Sequence, residues 1–449
     1  MKATVKLPNT DKIISELISK EPAKAVNLLK TSGVVDKKGR YLHWDKLRHL
    51  SAPPGLSSEE WWAGVKYARG VLYKNISLYD KKGAPFKFSL PDCVLRELHW
   101  VDKNASGNIA TDKPITNPHT RNTYLVSSLV NEAINSSQLE GASTTRNVAK
   151  DMLREGRSPL NKSEQMIFNN YQAMQFIRDL KTEELTPSIV LEMQKILTKD
   201  TLDDPDSAGN FRMDKDSIHV VDALQEVLHI PPPASELEKR MQQLCAFAND
   251  KTLFIHPVIK AILLHFMLAY DHPFVEGNGR TARALFYWYM ANQEYWLMEF
   301  ISISGIIKQS PGKYKEAYLY TETDDSDTTY FIIHQLEVIK KAIANLHHYL
   351  DKKAQEIQDA EGLIIGTRKL QGKLNYRQLA ILRNALEHPG AMYKIKTHQN
   401  THNVTYETAR ADLTKMADKL KLLDKEKIGK EFIFVSPSDI QKRLEKFKK

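Results

Sequence analysis

Cysteine is nearly absent from this chain. Its 449 residues contain two, Cys93 and Cys245, too few for a disulfide framework and far outside the close spacing of a zinc site. Long apolar runs are missing too: no stretch approaches the roughly 20 residues needed to span a bilayer. The N-terminus MKATVKLPNT lacks the apolar segment of a secretory leader. With membrane and secreted classes set aside, the default expectation is the cytoplasm. No internal repeat or low-complexity tract is visible either, so the length predicts two or three packed domains with ample core.

What the chain does have is a dense cluster of chemistry at 272–283, HPFVEGNGRTAR. His272 can be largely neutral near pH 7 and so can accept a proton from an attacking hydroxyl. Glu276 offers hard oxygen ligands to Mg²⁺. Gly277, Asn278 and Gly279 predict a tight turn with exposed backbone N–H groups, and a helix resuming at Arg280 would add its positive N-terminal end to the same spot. Arg280 and Arg283, three residues apart, share a helix face from which two guanidinium forks could hold phosphate oxygens. Each piece alone has a plainer reading, a turn or a satisfied histidine, but together they have the make-up of a nucleotide-phosphate site.

The full string matches every specified position of HxFx(D/E)GNGRxxR, the signature of the Fic family, and the chain resembles a member of it. The resemblance implies transfer of a nucleotide monophosphate, usually AMP from ATP, to a Ser, Thr or Tyr hydroxyl of a target protein. It implies His272 as general base, Glu276 as the Mg²⁺ ligand, 277–279 as the anion hole, and Arg280 and Arg283 on phosphates. Upstream, Ser136-Ser137-Gln138-Leu139-Glu140-Gly141 fits the family's inhibitory pattern (S/T)xxxE(G/N). By that resemblance Glu140 pairs with Arg283 and displaces the γ-phosphate, and Ser136 helps hold the helix. The plainer reading is a helix end with Gly141 as its cap.

Between the motifs, 211–233 reads FRMDKDSIHVVDALQEVLHIPPP. Ile218, Val220 and Val221 form one β-prone run and Val227, Leu228 and Ile230 another, a hairpin ended by three prolines. Fic proteins carry such a flap before the catalytic helix, and a target segment can add to its edge as a strand. Ile218 to Val220 would then lie over the nucleotide; a surface hairpin without such contact is the other reading. Downstream, 258–270 predicts a buried apolar helix and 284–290 core. His256 and His265 read as core or capping histidines. Tyr314, Tyr318 and Tyr320 fall where the family places residues near the adenine, although a packed helix face explains their spacing equally well.

The net charge of +9 suits an enzyme of anionic nucleotides, yet much of the excess lies in C-terminal runs at 419–430 and 442–449, and such runs are commonly solvated faces. That region has its own organisation. A polar helical connector at 351–373 loosens around Gly362, Gly366 and Gly372. Helices are predicted at 375–387, 393–403 and 405–420, the last capped by Thr405, and a strand at 428–435. Three helices and a hairpin resemble a winged helix-turn-helix. Arg410, Lys415 and Lys419, with Lys427 and Lys430 on the wing, could meet DNA phosphates, but such domains also bind proteins or pack on their own enzyme. At the other end, the Trp-rich stretch 41–73 resembles the helical N-terminal extension of bacterial Fic proteins. Ser57 is its N-cap with Glu60 at the capping-box position, and Trp61 and Trp62 are packing anchors.

The expectation is therefore a mainly α protein: a Fic helical bundle with a small β-hairpin flap, plus a C-terminal winged helix-turn-helix. Its expected parts are an N-terminal extension (1–112), the catalytic domain with its inhibitory helix (113–350), a connector (351–374) and the winged-helix-like domain (375–449). The expected function is autoinhibited, Mg²⁺-dependent protein adenylylation with ATP as donor, self-modification included, and a target protein docking on the flap. A homo-oligomer stays open. The competing readings are AMP removal, another nucleotidyl or phosphocholine donor at the same site, and a transcription regulator whose Fic fold senses nucleotide.

Overall fold

The structure is a computed structural model that describes residues 5–105, 118–221, 224, 226–365, 370, 372–428 and 431–447. The chain divides into two compact units. One comprises 1–107, 172–298 and 303–342; the other comprises 108–171, 299–302 and 343–449. The expected boundary at 112/113 lies outside the described residues, as does Lys430. The architecture is mainly helical, with three small antiparallel sheets.

The first unit is centred on the helices Pro257–Asp271 and Asn278–Asn292, packed against each other. Pro257 sits at the first helical position, where its missing N–H is no loss. His256 caps the helix, its Nδ1 accepting from Val258 N at 3.3 Å. From Val258 to Leu268 every residue is buried, as a helix that is apolar all round must be. Each fully buried Leu, Ile or Phe there contributes about 1.5–3 kcal/mol. Helix Pro187–Thr198 packs on Asn278–Asn292. It is capped by Thr186 Oγ1, which accepts from Ile189 N, and buries Val190, Met193, Gln194 and Leu197, one helical stripe.

The N-terminal extension belongs to this unit. Ser57 and Glu60 form the reciprocal capping box of helix Ser58–Gly70. Trp62 is fully buried, whereas Trp61 is only partly so. Arg69 is buried on the same helix and donates to the carbonyls of Val34 and Leu42 and to Tyr330 Oη.

Helix Thr329–Ile365 runs unbroken through Gly362, so the expected loosening does not begin there. A mid-helix glycine costs about 1 kcal/mol, too little to end 37 residues of helix.

In the second unit, Asn375 and Gln378 form the capping box of helix Tyr376–Glu387. The helix expected at 393–403 starts later, at Ile395–His402, because Met392–Lys394 is taken into a sheet against Glu431–Val435. Asn403 then turns the chain with φ +47, and Thr405 Oγ1 caps helix Tyr406–Thr414. The strand expected at 428–435 is a pair, Asp424–Ile428 with Glu431–Val435, and the latter is the central strand. The first of these, DKEKI, escaped sequence reading because its charged side chains lie on an exposed edge, a common protection for edge strands. Leu382, Leu413, Met416, Leu422 and Phe434 are in the core beneath. Helix Ile395–His402 also packs on helices Pro118–Leu139 and Arg146–Glu155 of the same unit. There Asn400 Nδ2 donates to Arg154 O at 2.5 Å.

Candidate active site

His272 is the residue that ends helix Pro257–Asp271. It lies in the left-handed region, φ 45 and ψ 56, with its N–H on Leu268 O. Its Nδ1 is 3.3 Å from Ala269 O. A carbonyl only accepts, so in the neutral ring Nδ1 carries the hydrogen and Nε2 the lone pair. The tautomer suited to a general base is thus favoured by the helix's own last turn.

The loop that follows is held by its own signature. Asn278 Oδ1 accepts from Phe274 N at 2.9 Å and its Nδ2 donates to Phe274 O at 2.8 Å. Both ends of this side chain therefore close the loop. Gly277 has φ +87, and a Cβ there would stand 2.8 Å from Thr198 Cγ2, so glycine is required twice over. Because this one residue makes the turn, the helix begins at Asn278 rather than at Arg280, and Gly279 lies in its first turn. The N–H groups of that turn have no carbonyl partner within the helix and form its positive end.

Gln194 supports the loop from helix Pro187–Thr198. Its Nε2 donates to Glu276 O at 3.1 Å, and its Oε1 accepts from Gly209 N at 2.6 Å. The Glu276 carboxylate is half-buried and has no hydrogen-bond or ion-pair partner among the described residues. Among those residues no group of three or more His, Cys, Asp or Glu is placed to hold a metal. A lone free carboxylate still fits Mg²⁺, which takes one or two carboxylates beside substrate phosphates.

Both signature arginines are 2% exposed. Arg280 Nη1 donates to Leu197 O at 2.7 Å, which ties the signature helix to the end of its neighbour. Arg283 lies near buried His265, whose ring is held well below the usual imidazole range by burial and then by the Arg283 charge. His265 Nε2 meets Tyr314 Oη at 2.8 Å, and Tyr314 meets Tyr318 at 3.2 Å. Tyr314 thus sits on a packed aromatic face, and Tyr320 stacks on His43.

The hairpin has Val220–Val221 antiparallel to Val227–His229. Ile218 precedes the first strand and is half-buried, as is Val220; Val227 is 54% exposed. Sequence reading assigned no role to His229, Arg212 or the pair Asp271–Arg240. His229 Nε2 meets Tyr270 O at 2.7 Å. Arg212 Nε donates to His272 O at 2.8 Å and its Nη2 to Pro232 O. Arg240 Nε meets Asp271 Oδ1 at 2.7 Å. Burial pushes the Asp271 carboxyl up to about 6, with Arg240 opposing. These residues mostly grip backbone carbonyls or distant side chains, which leave no motif; the one available signal was the arginine immediately before the hairpin.

In the second unit, helix Pro118–Leu139 contains Ser136, which is buried. Glu140 follows the last helical residue and is exposed, and Gly141 closes the turn with φ +96.

The profile of the Fic/DOC family matches residues 184–290, which include the hairpin, the loop and most of the signature helix. A protein adenylyltransferase Fic of Drosophila ananassae is 33% identical over 117 residues, 24% of this chain and 22% of that protein. Its namesake from Nematostella vectensis is 34% identical over 106 residues, 23% and 22% of the two chains. The chain therefore spans under a quarter of the length of these curated relatives. Among solved structures, a Fic family protein from Desulfovibrio desulfuricans G20 aligns over 76% of this chain and 94% of its own, with TM-score 0.48 and 16% identity. Fic-1 from C. elegans aligns over 77% and 89%, with TM-score 0.47 and 17% identity.

Proposed function

Residues 184–290 belong to the Fic/DOC family, and on that premise we propose that the protein transfers AMP from ATP to a hydroxyl of a target protein, itself included. The observation that carries this reading is the junction of two helices: a histidine whose Nε2 has the lone pair, followed within one loop by a free carboxylate and a helix N-terminus. In the proposed step the target hydroxyl oxygen attacks the α-phosphorus. Its proton passes to His272 Nε2, and the bond to pyrophosphate breaks. The N–H groups at Gly277, Asn278 and Gly279 and the Arg283 guanidinium stabilise phosphate charge. Arg280, whose Nη1 also holds the signature helix on Leu197 O, adds its charge to the same phosphates. Glu276 would hold Mg²⁺, which supplies charge neutralisation to the phosphates. The exposed hairpin, with Ile218 and Val220 toward the nucleotide, offers its edge to an extended target segment.

Autoinhibition by Glu140 belongs to the same proposal. Its support is the Ser136–Gly141 pattern and its place at a helix end, where Ser136 is buried and Glu140 is exposed. The same site could run AMP removal or take another donor. Incubation of the full chain with Mg²⁺ and labelled ATP, UTP, GTP or CDP-choline, read by mass spectrometry of the protein, tests the choice. An added AMP from ATP is the expected result, and no adduct from ATP with either wild type or Glu140→Gly would refute it.

A second reading rests on residues 375–447. Two helices joined by a three-residue turn at Asn403, with a β-hairpin after them, have the order of a winged helix. Tyr406 and Arg410 are exposed on the second helix, and Lys425 and Lys427 on the hairpin. This supports DNA or a protein as a further partner of an adenylyltransferase or of a nucleotide-sensing regulator. A salt-dependent gel shift of the full chain separates DNA from protein binding.

A further inference from the structure

We infer that Arg212 is a positioning residue that makes the geometry of His272 depend on the flap hairpin; the inference rests on the adenylyltransferase reading and names how that site is held. The last carbonyls of a helix have no partner inside it and must find one elsewhere. At the end of helix Pro257–Asp271 each is accounted for. Leu268 O accepts from His272 N, and Ala269 O from His272 Nδ1. Tyr270 O accepts from His229 Nε2 at 2.7 Å. Asp271 O lies 3.5 Å from Arg212 Nη2, His272 O accepts from Arg212 Nε at 2.8 Å, and Pro273 O accepts from Arg212 N at 2.9 Å. Four consecutive carbonyls, 270–273, are thus held by two residues of the hairpin segment, three of them by Arg212.

The same guanidinium also closes the base of the hairpin. Arg212 precedes the first strand, Pro232 follows the second, and Nη2 donates to Pro232 O at 2.5 Å. One buried fork therefore spans both feet of the flap and the backbone of His272. His272 is itself in the left-handed region, which a residue with a side chain keeps only where its surroundings hold it. A target segment that adds to the hairpin edge would order the hairpin, and through Arg212 it would order the base. A lysine has one point of donation in place of the fork, so it can hold some of these carbonyls but not the set.

The test compares Arg212→Met and Arg212→Lys with Arg69→Met in the full chain. Arg69 is a still more deeply buried arginine that also binds carbonyls, but outside the site. Hydrogen exchange, which needs no activity, should show 218–230 and 272–277 losing protection together in Arg212→Met and less so in Arg212→Lys. Loss in one segment alone, or in neither, overturns the coupling. In the Glu140→Gly background, AMP transfer by Arg212→Met should fall on the order of a hundredfold, as for a base displaced by about an ångström, with ATP affinity held. Arg212→Lys should recover part of the rate and Arg69→Met should lose little. A fall no larger than that of Arg69→Met overturns the positioning role. If Arg212→Met fails to fold, the lysine variant carries both measurements. If Glu140→Gly itself transfers no AMP, the transferase reading fails, while the exchange data still decide the coupling.

Discussion

Gly277→Ala puts the local account of the loop to a quantitative test. The backbone at 277 has φ +87, and the added methyl would sit 2.8 Å from Thr198 Cγ2 and 3.7 Å from Arg280 Nη2. Holding an L-residue in the left-handed region costs about 1–2 kcal/mol. Forcing a methyl into a packed contact costs about 1–3 kcal/mol more, so the sum is roughly 2–5 kcal/mol. The two parts separate in a double mutant. Thr198→Ser removes the methyl that is struck and keeps the hydroxyl that donates to Gln194 O. Added to Gly277→Ala it should recover the contact part and leave the backbone part. Urea denaturation followed by tryptophan fluorescence, with AMP transfer measured in parallel, reads both. A Gly277→Ala penalty below about 0.5 kcal/mol would refute the geometry, and a double mutant no better than the single would refute the assignment of the clash to Thr198.

His272→Ala should lower AMP transfer by about a hundred- to ten-thousand-fold while ATP binding by calorimetry survives; near-wild-type labelling would remove His272 as the base. Glu140→Gly should raise labelling on the order of ten- to a hundred-fold by freeing the arginine for phosphate, and adding Arg283→Ala should abolish the gain; equal labelling by wild type and Glu140→Gly, both folded and ATP-bound, ends the autoinhibition proposal. In residues 375–447 the buried Asp412 carboxylate accepts from Asn375, Arg377 and His398 and is held well below its usual range by these bonds against the cost of burial. Burial likewise pushes His402 down to about 3. Both folded pKa values lie below the unfolded ones, so their stabilisation is present above the unfolded values and is lost as pH falls, for His402 from about 6.5 toward 3 and for Asp412 below about 4. The protection factors of helix Tyr376–Glu387, corrected for the intrinsic pH dependence of amide exchange, should therefore fall on acidification, and protection unchanged from pH 7 to 4 would contradict it.

Features legible before folding are those whose physical cause lies within a few residues. The run 258–270 is predominantly apolar on every face, and its burial follows from that. Ser57 with Glu60, Asn375 with Gln378, and Thr405 with Thr408 mark helix starts because a cap and its donor are three residues apart. The signature at 272–283 is also local, since Asn278 bonds Phe274 and His272 bonds Ala269. The misplaced boundaries have local causes overruled at a distance: Tyr393 and Lys394 read as helix until Glu431–Val435 pairs with them.

What only the tertiary structure decided is which distant side chains hold the loop and helices of the site together. Arg280 and Arg283 have the same chemistry in the sequence, but Leu197 O lies within reach of Arg280 from a helix some 80 residues upstream. Gln194, Arg212 and His229 act on the carbonyls of Glu276, His272 and Tyr270. A backbone carbonyl is the same in every residue, so a side chain that binds one leaves no pattern to read. Its partner is set by the packing that brings distant segments together.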